Sequence, residues 1–294
     1  MKVLAFGEIL FDVIEGRPFL GGAPLNFAAH LARFGVDSWI LSGVGVDELG
    51  DNAVAQIEKQ GVKTTLIQRD AEHPTGTVEV VLSGGQPDYT ISEGVAYDFI
   101  KPPGEKELGQ TAFDVLYYGT LAQRNKKSRD TLAKVLKENQ FREVFYDVNL
   151  RQGFYTEEVL RNSVKNCTIL KLNDEEAGVL GDLFFGERME MKDFAARVAE
   201  EFRIGTIVIT TGAKGCLIYA DETLHFVEGF PAKVADTVGA GDSFSAAFLY
   251  QYMLHKDPVK AAGVANRLGA FVASCRGAIP EYSPEIMKVL GIKK

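Results

Sequence analysis

The chain has 294 residues, 46% hydrophobic and 24% charged, an ordinary balance for a soluble globular protein with a substantial core. Its net charge of −8, with acidic and basic residues interspersed, argues against a general nucleic-acid binder. Cys167, Cys216 and Cys275 are too scattered for a disulfide framework and point to a reducing cytoplasm. The N-terminal VLAFGEILFDVI is broken by Glu8 and Asp12 and has no basic lead. It reads as a first strand rather than a signal peptide or membrane span.

Residues 2–7 predict that strand, and residues 8–20 alternate between apolar and polar. Gly21-Gly22 then forms a turn, and Pro24 suits the first turn of a helix that Gly35 stops. Asn26 lies at the beginning of this helix. Residues 38–43 predict a second strand. The GVGVDELG that follows spaces Gly43, Gly45 and Gly50 wrongly for a GxGxxG fingerprint, so it reads as a strand-to-helix loop. A helix over 51–60 follows, closed by Gly61.

The texture changes between 64 and 98. VEVVLSGGQPDYTIS predicts two extended segments joined at Gly84-Gly85, a hairpin rather than a βαβ unit. With residues 10–20 it makes a small separate sheet, placed to act as a lid. After Pro102-Pro103, strands over 114–118, 143–147, 167–172 and 206–210 alternate with helices over 128–139, 157–165 and 193–202. A second hairpin follows Lys214, and two helices, about 242–254 and 258–275, carry the C-terminal region. The expected architecture is one α/β domain over 1–294, a doubly wound, mainly parallel sheet with helices on both faces, plus the β-sheet lid.

DTVGAGDSF, Asp236 to Phe244, is the most informative stretch. Gly239, Ala240 and Gly241 read as a turn whose backbone N–H groups converge before an apolar helix, where the helix dipole is positive. Asp242 puts a carboxylate at the mouth of this anion site. Either it caps the helix, or it abstracts a proton from a nucleophile attacking a phosphoryl group. Other polar clusters fall at strand ends, where open α/β sheets bind ligands: Asp12 and Asn26, Gln123 and Arg124, Asp147 to Arg151, Asn173 to Glu176, and Thr210 to Gly215.

DTVGAGDSF and GGAPLNFA, together with DVNLR, NDEE and TTGAKG in that order, resemble the ribokinase-like, or PfkB, family of carbohydrate kinases across essentially the whole chain. The resemblance implies ATP-dependent phosphorylation of a sugar hydroxyl. Asp242 would be the catalytic base, and the backbone of Gly239, Ala240 and Gly241 the anion hole. Asp12, Asn26, Gly21 and Gly22 would hold the sugar. Asn173 and Glu176 would organise Mg2+ through water, while Thr210, Gly212, Gly215 and Asn266 would line the nucleotide. Asp236 and Val238 would bind a potassium-like cation (K+), largely through backbone carbonyls. No Walker A lysine motif is present.

Gln123 and Arg124 stand in GTLAQRN where ribokinases of the family tend to place an acidic residue, and YDVNLRQGFY also resembles bacterial fructokinases. Fructose is therefore the expected sugar, with Arg124 among its contacts. Against it, ISEGVAYDF departs from the arginine-containing lid segment of many fructokinases, leaving the roles of Glu93, Tyr97, Asp98 and Arg151 open. Ribokinase, 2-keto-3-deoxygluconate kinase and nucleoside kinase are the rivals within the family. A non-catalytic sugar-binding regulator is the rival of another class, which the intact GAGD argues against. Family members often dimerise through their lids, and residues 75–91 have the exposed-strand character for it.

Overall fold

The computed structural model describes residues 1–83, 86–104 and 112–292; the Gly84-Gly85 turn lies outside them. The chain divides into two compact units, one of residues 1–114 and 121–141 and the other of 115–120 and 142–294.

The first unit holds a parallel trio, β1 (Lys2–Phe6), β4 (Asp37–Gly45) and β5 (Ile67–Asp70), with β4 paired to both of the others. Among the described residues its helices are α1 (Ala23–Arg33), α2 (Glu48–Lys59) and α3 (Lys126–Glu138). A separate sheet runs in the order β3-β2-β6-β7, with β2 (Leu10–Ile14), β3 (Arg17–Gly21), β6 (Gly76–Ser83) and β7 (Gln86–Ile91). This is the small sheet expected from the sequence, but of the segment expected over 64–98 only the part from Gly76 to Ile91 joins it. Residues 67–70 pair instead with β4, a short polar edge strand whose alternation is too brief to read. The GVGVDELG segment is a structural lock. Asp47 caps α2 through the Gly50 amide and also accepts from the Thr75 amide and hydroxyl, at 2.7, 2.8 and 2.6 Å.

In the second unit β8 (Val115–Tyr118), β9 (Glu143–Asp147), β10 (Ile169–Asn173) and β11 (Thr206–Thr210) run parallel in sequence order. Near-continuous apolar runs such as TIVIT bury both faces, as strands covered on two sides must. The hairpin of β12 (Gly215–Ala220) and β13 (Thr223–Glu228) extends the sheet antiparallel from β11. The helices are α4 (Glu157–Lys165), α5 (Asp174–Phe185), α6 (Met191–Phe202), α7 (Ala240–His255), α8 (Pro258–Ala273) and α9 (Pro284–Leu290). α7 packs along α8 and buries Phe244 and the 246–249 run, which explains its apolar sequence. Among the described residues no helix is long and apolar enough to cross a membrane.

Candidate active site

α7 starts at Ala240, two residues earlier than the sequence suggests, so Ala240 and Gly241 form its first turn instead of a loop before it. Gly239 is the N-cap, in the left-handed region at φ 75°. A side chain there would meet Ala278 at 2.5 Å, so glycine is required on both counts. Ala240 donates back to the Thr237 carbonyl at 3.2 Å, and Ser243 to that of Gly239 at 2.8 Å. The first N–H groups of a helix have no acceptor within it, and here they coincide with the positive end of a 16-residue helix. Asp242 is half-buried at the third helical position. The N-cap position is a glycine and offers no side chain of its own to the first turn.

Beside this turn lies a buried ion pair. Lys171, in the middle of β10, donates to Asp147 at the end of β9 at 3.0 Å; their side chains are 9% and 1% exposed. The other Asp147 oxygen accepts from Ser245 of α7 at 2.8 Å and from Tyr117 of β8 at 3.2 Å. The Lys171 ammonium lies 3.4 Å from where a Cβ on Gly241 would be. Burial would lower its proton affinity, but the charges of Asp147, Glu176 and Asp242 outweigh that and hold it above the usual lysine range. No motif singles out Lys171. Its signal in the sequence is a lone cation inside the buried run ILKLN.

On the nucleotide side, Asn173 and Glu176 form a reciprocal capping box at the start of α5, each side chain taking the other's amide at 2.8 Å. The second Glu176 oxygen accepts from the Leu150 amide, also at 2.8 Å, tying the DVNLR loop to α5. Burial raises Glu176's proton affinity most strongly, opposed by Lys171 and these amides. No cluster of three or more His, Cys, Asp or Glu able to cage a metal occurs among the described residues. Mg2+ needs none, because it keeps several waters and takes one or two carboxylates plus phosphate oxygens, so Glu176 acting through water fits it. Thr210 ends β11, while Gly212 and Gly215 bound the tight turn into β12. Asn266 faces inward from α8; its side-chain amide donates to the Val227 and Glu228 carbonyls of β13 at 3.3 and 3.0 Å. It thereby shapes this edge through the backbone. Asp236 accepts from the Val238 and Gly277 amides at 3.0 and 3.2 Å, bracing the loop expected to bind a monovalent cation.

The first unit holds the residues expected on the sugar side. Asp12 sits on β2, half-buried, with its carboxylate against Gly21, which pairs with the neighbouring Leu10. Asn26 is buried in the first turn of α1, and its backbone amide donates to the Gly22 carbonyl at 2.9 Å. Gly22 has a φ of 115°, and a Cβ on it would collide with the Glu8 carbonyl, so this glycine answers to its own surroundings as well as to any ligand. Arg124 reaches back to the Asp98 carboxylate at 2.8 and 2.9 Å and to the Ser92 carbonyl at 2.5 Å, over the face of Tyr97. This pair accounts for Asp98, whose role the sequence leaves open. The Tyr97 hydroxyl is buried, with no hydrogen-bond partner among the described residues. Gln123 is buried, and Arg151 is exposed beside its own loop.

A profile of the pfkB family carbohydrate kinases matches residues 4–285. A Pyrococcus horikoshii protein described as an uncharacterised sugar kinase is 30% identical over 94% of this chain and 91% of its own. Its structure in complex with ATP superimposes with a TM-score of 0.80 at 28% identity, covering 94% and 93% of the two chains. The fructokinase of Escherichia coli is 25% identical over 95% of each chain. The Vibrio cholerae fructokinase, solved with fructose, ADP and calcium, shares the fold with a TM-score of 0.80 at 24% identity, covering 95% and 94%.

Proposed function

The chain belongs to the PfkB family of carbohydrate kinases and is an ATP-dependent sugar kinase; from that premise we propose that its acceptor is fructose and that Asp242 is its general base. Asp242 takes the proton of the attacking hydroxyl as that oxygen bonds to the γ-phosphorus. The bond from phosphorus to the bridging oxygen breaks, and its electron pair leaves on ADP. The first-turn amide of Gly241 stabilises the charge gathering on the transferring phosphoryl oxygens, whereas that of Ala240, expected to share the task, is given to the Thr237 carbonyl. Mg2+, when bound, neutralises phosphate charge, with Asn173 and Glu176 setting its water shell. Asp12 and Asn26 orient the sugar, since a carboxylate and an amide together both accept from and donate to hydroxyls. The observation that carries this reading is a half-buried carboxylate in the first turn of α7, next to Gly241 and the buried Lys171 ammonium.

Fructose is supported by the fructokinases of Escherichia coli and Vibrio cholerae among the similar proteins, together with Gln123-Arg124 in the segment after β8. Incubation with ATP, magnesium and a panel of fructose, ribose, 2-keto-3-deoxygluconate and nucleosides, followed by ADP release, tests it. Highest kcat/KM on fructose is the expected result, and a preference for another acceptor overturns the assignment. Sugar binding without any turnover would overturn the kinase chemistry itself and favour a regulator. Ile14, Phe19 and Tyr89 are exposed on the small sheet, which supports a homodimer through that face. A monomeric mass by light scattering would remove it. The three free thiols support a cytoplasmic location.

A further inference from the structure

Lys171 is a buried cation whose hydrogen bonds do not add up. An ammonium has three donors, and among the described residues Lys171 spends one, on Asp147. Asp147 by contrast is fully engaged, accepting from Lys171, Ser245 and Tyr117. A pair built only for stability would have no reason to leave two donors over in a site where burial makes each expensive, and an apolar pair of similar volume would serve the fold as well. The ammonium is moreover held against Gly241, beside the residue proposed as the base.

We propose that Lys171 is a positioning residue for phosphoryl transfer: clamped by Asp147 against the first turn of α7, its ammonium keeps Asp242 ionised while the phosphates of ATP are bound. The inference rests on Asp242 being the base. The physical need is clear, because bringing a polyanion to a carboxylate favours the protonated acid, and a protonated Asp242 cannot accept a proton. A cation fixed within the same site opposes that effect. The low exposure of Lys171 keeps water and salt from screening it. The charged and titratable groups around the ammonium are Asp147 on β9, with Tyr117 of β8 behind it, Glu176 on α5 and Asp242 on α7. Of these, Asp147 is neutralised by direct contact and Glu176 is committed to backbone amides.

The test is the pH dependence of kcat/KM for fructose, or for the panel sugar with the highest turnover, at saturating ATP. Wild type is compared with K171R, K171M and the double variant K171M/D147N, which removes the buried pair as a neutral unit. The acid limb in K171M and in the double variant should move up by about one pH unit, while K171R stays within a few tenths. Thermal unfolding identifies the variants that fold; where K171M alone does not, the double variant decides. A folded double variant whose acid limb coincides with wild type overturns the inference, since Lys171 would then be no more than a partner for Asp147. D242N keeps this failure separate from that of the underlying reading. If D242N retains turnover within tenfold of wild type, Asp242 is not the base and the proposed mechanism falls first.

Discussion

Both units bury an ion pair near residues expected to handle ligand, and the two pairs are built differently. Arg124 in the first unit wraps Asp98 with two nitrogens and adds the Ser92 carbonyl, a planar fork matched to a planar acceptor. Lys171 in the second unit makes one bond to Asp147 and keeps hydrogen-bonding capacity in hand beside α7. The first arrangement fixes the backbone of the 92–98 segment. The second holds a charge where chemistry gathers charge. A buried cation is thus read by what its remaining donors can reach, and burial alone does not separate scaffold from machinery.

The largest effect should come from the base. Asp242→Asn is expected to lower kcat by about 100- to 10,000-fold with the KM for ATP nearly unchanged, measured by ADP release. An equal loss in nucleotide affinity would shift the role of Asp242 from chemistry to binding. The scaffold side of the comparison predicts a loss of stability instead. Arg124→Met takes the cation from the Asp98 carboxylate, 2% exposed, leaving it the Gly94 and Val95 amides, and should cost up to about 3–5 kcal/mol in urea unfolding. Replacing Asp98 by Leu as well should recover most of that; an Arg124→Met protein as stable as wild type would show that the pair is not structural.

Smaller effects probe the nucleotide edge. Asn266→Ala leaves two β13 carbonyls without their amide donor and should cost about 1–3 kcal/mol. The KM for ATP should rise more than the KM for the sugar; the reverse would detach this edge from the nucleotide. The smallest expected effect concerns Glu176, whose proton affinity in the fold lies above its ordinary value of 4.5, with burial the main cause. A raised folded value means that the fold prefers the protonated form. That contribution is fully present below pH 4.5 and is lost as pH rises through the folded value. The stability of wild type minus that of Glu176→Gln should therefore fall as pH rises from about 4 to about 7, with a slope of at most about 1.4 kcal/mol per pH unit. Thermal unfolding of both proteins across that range measures it, and a difference that grew with pH would reverse the sign of the burial argument.

Much of this is legible in the residues, for reasons that differ by region. The parallel strands announce themselves because strands buried on both faces carry unbroken apolar runs, as 206–210 does. α5 does not stand out, although its Asn173 cap is plain in the sequence. Gly178 and Gly181 interrupt its helical character, and the reason for them is tertiary: Gly178 lies against the Arg188 guanidinium and Gly181 against the Glu187 backbone. α9 is short and held by its Ser283 cap, so its periodicity has too few turns to show. The GAGD turn can be recognised because it is contiguous. The Arg124–Asp98 and Lys171–Asp147 pairs join residues 26 and 24 positions apart, and no local pattern links them.

Cys216 lies within β12 and Cys167 in the segment before β10, and both are buried. Burial pushes the Cys216 thiol up to about 12 and lifts that of Cys167 above the ordinary thiol range. Since only the thiolate is nucleophilic, neither sulfur reacts appreciably at neutral pH while it stays buried. Alkylation of Cys216 would then proceed only through opening of β12, and that of Cys167 through opening of the segment before β10, so the two rates would serve as clocks for those openings, free of any added probe. Cys275, half-buried after α8, lies outside that protection and provides the reference rate within the same molecule.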